Sequence, residues 1–142
     1  MKRNVTASIF SGLLILLFAY AAISKLADHT AFERQLTAFP IIHPMSNLLA
    51  WIVPAGELIT MMLLFFPRTR SYGFHASLLL LTVFTIFLAV MVVFDEDIPC
   101  SCGGVIAKLS WKGHIVFNVF FMLVAFAGIV SENAHPRNAY KK

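Results

Sequence analysis

The chain has 142 residues, 59% of them hydrophobic and 13% charged, with a mean hydropathy of +0.81. Soluble domains carry about 45–50% apolar and ~25% charged residues, so this composition excludes a soluble fold of single-domain length. The net charge of +4 does not point to nucleic acid, because the basic residues are spread over loops and termini and form no stripe.

The expected fold is an all-α membrane protein: a four-helix transmembrane bundle with a short interfacial helix after the first span. It forms a single domain over 1–142, with spans at about 5–24, 47–66, 72–94 and 112–131. After Lys2 and Arg3, no charge occurs in the 21 residues from Asn4 to Ser24. At ~1.5 Å per residue, that run matches a bilayer core about 30 Å thick. A secretory signal peptide with Ala19-Tyr20-Ala21 as its cleavage site is a rival reading; the length of the run and the spans behind it favour a membrane helix. Ala19, Ala21 and Ala22 suit close helix approach.

Lys25 to Pro44 is mixed in character. Thr30-Ala31-Phe32-Glu33 reads as a capping box, and Phe32, Leu36 and Phe39 follow at helical spacing before Pro40 stops the run. The expectation is an amphipathic helix whose Phe and Leu side chains dip into the acyl boundary. The second span is interrupted by Pro54, carries Glu57 well inside, and ends at Pro67-Arg68. The third, Ser71 to Phe94, has no Lys, Arg, Asp or Glu; the fourth, Gly113 to Ser131, precedes a polar tail from Glu132 to Lys142.

Basic residues set the orientation. One side of a four-span chain receives Lys2, Arg3, Arg68, Arg70, Arg137, Lys141 and Lys142, and the other Lys25, Arg34, Lys108 and Lys112. Seven against four predicts both termini in the cytoplasm, in a multi-pass protein of the cytoplasmic (inner) membrane. Cys100 and Cys102 then face the periplasm or exterior, where disulfides persist.

These are the chain's two cysteines, in Pro99-Cys100-Ser101-Cys102-Gly103-Gly104. A disulfide across one intervening residue closes so small a ring that it is strained, and strained, exposed disulfides are labile and oxidising. As a staple it has little to offer, since stabilisation shrinks with the loop closed. Gly103 and Gly104 leave the backbone free to admit a partner's thiol. Three readings remain open: a redox dithiol, a pair of metal ligands, or an inert pair.

Trp111, His114 and Asn118 share one face at the opening of the last span, with Ser110 as a candidate N-cap. A His near a thiol lowers its pKa or relays a proton, and an Asn in the bilayer needs a hydrogen-bond partner. Trp111 alone reads as an interfacial belt residue. Glu57 is an ionisable group deep in a span, and Pro54 beside it removes a backbone hydrogen bond. Lys25 is its nearest counter-ion by depth, so Glu57 is either half of a structural pair or a proton or ligand site beneath the cysteines. His75 reads as interfacial, and His29, His43 and His135 as loop or tail residues with no partner spacing.

Several of these elements together resemble the MauE/DoxX group of small four-helix membrane proteins, and within it the MauE-like, methylamine-utilisation branch. They are Ser24-Lys25-Leu26, Phe32, Phe39-Pro40, Pro54-x-x-Glu57-Leu58, and Cys100-Ser101-Cys102-Gly103-Gly104 leading to Trp111, His114 and Asn118. The Pro-x-x-Glu element is shared with the wider group; the cysteine element points to the MauE branch. Gly103 stands where members often carry an aromatic residue, which leaves the client open. The resemblance implies disulfide chemistry with an extracytoplasmic thioredoxin-fold partner, supporting maturation of a client such as methylamine dehydrogenase.

On this reading the chain is a thiol–disulfide oxidoreductase component. Cys100, Cys102 and His114 carry the exchange, and Glu57 and Asn118 line a cavity beneath. Lys25, Pro54, Gly103, Gly104 and Trp111 have structural roles. A quinone is compatible with that cavity, but nothing in the sequence indicates one. Lipid is the surrounding partner, and the oligomeric state is not written in the residues. The alternatives are metal handling through Cys100, Cys102 and His114, three ligands where a closed tetrahedral site needs four, or a non-catalytic assembly subunit.

Overall fold

The apolar runs form helices of 20 to 25 residues in the computed structural model, which describes residues 5–94 and 111–134. In chain order these are α1 (Val5–Ala27), α2 (His29–Thr37), α3 (Ser46–Phe65), α4 (Arg70–Phe94) and α5 (Trp111–Asn133), with a 3₁₀ turn over His43–Met45 before α3. All but α2 are long and apolar enough to cross a membrane. Cys100, Cys102, Gly103, Gly104, Ser110 and His135 lie outside the described residues.

The four long helices form a ring in which α1 neighbours α3 and α5, while α4 neighbours α3 and α5. Each turns one stripe inward. On α1 that stripe is Ala7, Ser11, Leu14, Phe18, Ala22 and Lys25; on α3 it is Ser46, Ala50, Pro54, Glu57, Thr60 and Leu64. The outer faces are apolar as well: Leu16, Ile59, Leu79, Val116 and Leu123 are all more than 60% exposed. Helices with apolar outer faces, which pair most backbone polar groups within the segment, are built for lipid as solvent.

The two ends of the bundle differ. At the end where α1 and α4 begin, packing is tight. A Cβ on Gly128 of α5 would stand 2.3 Å from the ring of Phe74, which is fully buried, and one on Gly73 would stand 2.8 Å from the backbone nitrogen of Leu64. Ser11 donates to the Leu64 carbonyl at 2.9 Å, the partner a buried hydroxyl requires. Arg70 at the start of α4 pairs with Glu132 near the end of α5 at 3.1 Å and donates to Ser8 of α1. Glu132 is therefore part of the last helix and not of a polar tail.

At the other end α2 folds back over α3. Its N-cap is Asp28, whose carboxylate accepts from the Ala31 backbone at 3.2 Å, and the Thr30 hydroxyl also donates to that carboxylate. The capping box at Thr30 and Glu33 is thus displaced: α2 starts earlier than that pattern implies, so Asp28 takes the cap. Phe32 and Leu36 do not dip into lipid; they are buried against Ala50 with Leu49 and Val53 beside it. The 20-residue α3 offers an apolar surface at that height, and docking there buries more of both side chains than an interface would. His29, expected as a loop or tail residue, instead opens α2, with its ring 4.4 Å from that of Trp51.

Candidate functional site

Lys25 lies in the last turn of α1, and Cα–Cβ bonds in a helix tilt toward the N-terminus. Its stem therefore runs back down into the bundle instead of snorkelling out. The ammonium meets Glu57 Oε1 at 2.7 Å, with side chains 4% and 9% exposed, and also donates to the Ala21 carbonyl at 3.5 Å. The rings of Phe84 and Phe32 stand 5.4 and 5.7 Å from it, within cation–π range. A buried ion pair needs such supplements, because desolvation offsets most of the attraction.

Glu57 is presented by α3 one turn after Pro54. The helix continues through the proline, which has no N–H to give the Ala50 carbonyl. Both residues fall on the buried stripe, so the weakened backbone and the carboxylate face the interior together.

His114 and Asn118 enter from the first two turns of α5, each 5% exposed. With Lys25 and Glu57 they line one cavity of about 130 Å³, walled by Phe84 and Phe117 among others. Glu57 Oε2, His114 Nδ1 and Asn118 Nδ2 are buried without a hydrogen-bond partner among the described residues. Three unsatisfied polar atoms around one hollow are exceptional, since buried polar groups are nearly always paired.

Of the residues singled out in the sequence, the structure gathers Lys25, Glu57, His114 and Asn118 around the chamber and puts Pro54 on the buried face of α3. Trp111 is the first residue of α5. The cysteines and Gly103–Gly104 lie outside the described residues, but α4 ends and α5 begins at the chamber's end of the bundle. Among the described residues, no group of three or more His, Cys, Asp or Glu could hold a metal ion.

A family model described as methylamine utilisation protein MauE matches residues 3–131. The chain belongs to the MauE family. No curated protein and no solved structure matches it. The match takes in both cysteines and all four polar residues of the chamber, and it ties this MauE protein to methylamine utilisation.

Two features of this MauE chain escaped the sequence reading. Phe84 gave no signal, being one of 14 phenylalanines. Glu132 did give one: it continues the seven-residue spacing of Asn118 and Ala125 and so falls on the inward face of α5.

Proposed function

We propose that this protein is the membrane component of a thiol–disulfide exchange system serving methylamine utilisation. Cys100 and Cys102 cycle between dithiol and disulfide with an extracytoplasmic thioredoxin-fold protein. In one direction, a partner thiolate attacks one sulfur of the Cys100–Cys102 disulfide, forming a mixed disulfide and releasing the other cysteine as thiolate. The partner's second thiolate then resolves that bond. Two electrons and two protons have passed to the pair, and the partner leaves oxidised; the reverse direction uses the same steps. Attack requires the thiolate, and His114 is assigned to favour it.

The observation that carries this reading is topological. The 16-residue segment holding both cysteines leaves α4 after Phe94 and enters α5 at Trp111, three residues before His114. Family membership supports it. The basic-residue count supports an orientation with both termini cytoplasmic and the cysteines outside.

The test is labelling of intact cells with a membrane-impermeant thiol reagent, before and after reduction. Labelling that requires prior reduction and then proceeds from outside supports an external disulfide. Cys100→Ser and Cys102→Ser variants should then each trap the partner as a mixed disulfide. Free labelling without reduction, together with no partner trapped by either variant, overturns the exchange reading, and labelling confined to lysed cells overturns the orientation.

A further inference from the structure

A second cavity lies against the polar chamber. It measures about 220 Å³, sits under α2, and is lined by Phe32, Leu36, Phe39, Leu49 and Phe87 among others. Val53, Val83 and Phe84 line both hollows, so the two are adjacent. Both have mainly apolar walls, but the first also carries the Lys25, Glu57, His114 and Asn118 side chains. Three of these hold a buried polar atom without a partner among the described residues. Together they exceed the ~300 Å³ at which ligand pockets begin.

We infer that the two hollows form one binding site for a neutral, lipid-soluble amphiphile. Its carbonyl- or hydroxyl-bearing head occupies the Lys25–Glu57–His114–Asn118 chamber, and its apolar chain lies beneath α2. The head is neutral because the chamber's two charges already cancel at 2.7 Å. A carboxylate or phosphate would bring an uncompensated charge beside Glu57 inside a membrane span. The head is compact: about 130 Å³ is close to the ~150 Å³ that takes up a single benzene ring elsewhere, so the chamber holds one small ring or a hydroxyl-bearing chain end and nothing larger.

The hydrogen-bonding set fits such a head. Asn118 Nδ2 donates to a carbonyl or hydroxyl oxygen, Glu57 Oε2 accepts from a hydroxyl, and His114 Nδ1 serves either way according to tautomer. Gln35 Oε1, also unpaired and on the wall of the second hollow, gives the chain's path one polar point next to the helix that covers it. Neither cysteine enters the inference, so it stands or falls apart from the thiol reading.

The experiment uses the full chain in phosphatidylcholine nanodiscs with two photoreactive probes. One is a long-chain alkan-1-ol carrying a mid-chain diazirine; the other is the matching carboxylic acid, ionised at pH 8. Labelled positions are mapped by peptide mass spectrometry. The alcohol is expected to label the 32–39 and 83–87 segments, and the acid much less. Asn118→Leu should lower that labelling about tenfold, the loss of one to two hydrogen bonds expressed in affinity. Phe87→Trp, which fills the apolar hollow and leaves the polar one intact, should lower it as well. Helical circular dichroism and a monodisperse elution profile confirm that both variants fold. Competition separates two sources of the same chemistry: a decyl-substituted benzoquinone displacing the probe better than decanol assigns a ring-bearing head, and the reverse an aliphatic alcohol. Equal labelling by alcohol and acid, labelling unmoved by both substitutions, or labelling only at lipid-facing positions such as Leu48 and Ile59 overturns the inference and leaves the hollows to water.

Discussion

Lys25 and Glu57 are a pair of opposite charges held where charge is least welcome. Removing either partner strands the other in a span, so Lys25→Met or Glu57→Leu alone should cost about 3–5 kcal/mol. The double variant should recover most of that loss, because an apolar pair of similar volume bears no desolvation cost. Thermal unfolding in detergent, followed by circular dichroism, checks both. The pair was legible in the sequence because a charge inside an apolar run has few possible partners. His114 and Asn118 were legible by helical spacing, but that three polar atoms would be left unpaired around one hollow was not. Spacing gives a face, and only packing shows what the face meets.

Among the elements, α4 and α5 are joined by a contact that depends on Gly128. A methyl group there would intrude on Phe74, whose ring is fully buried and has nowhere to retreat. Gly128→Ala should therefore destabilise by about 1–3 kcal/mol through overpacking. With Phe74→Leu alongside, the combined loss should fall short of the sum of the two singles, a coupling of about 0.5–3 kcal/mol in a double-mutant cycle read by the same unfolding assay. The four long helices could be read from length and apolarity alone, since a bilayer fixes both. Where α2 starts and what it covers could not. The Thr30–Glu33 pattern is a local signal, and it yields to Asp28 once Phe32 and Leu36 dock on α3.

Among the described residues, the bundle is tightly packed at one end and holds both cavities toward the other. Gly73, Gly128, Ser11 and the Arg70–Glu132 pair bind the first end; the second holds both cavities and is covered by α2. Hydrogen exchange should reflect this, with amides near Leu64, Phe74 and Ala125 exchanging most slowly and those near Phe84 and His114 sooner. Exchange mass spectrometry in nanodiscs measures the gradient, and uniform protection along all four helices would contradict it. The geometry also makes the bundle a lever. Gly128 lies 17 residues from Trp111, about 25 Å along α5 at ~1.5 Å per residue. A tilt of about 5° pivoting at Gly128 would displace the first residue of α5 by about 2 Å over that length. Small rotations at the clamped end are thus magnified at the mouth, where the cysteine-bearing segment is attached.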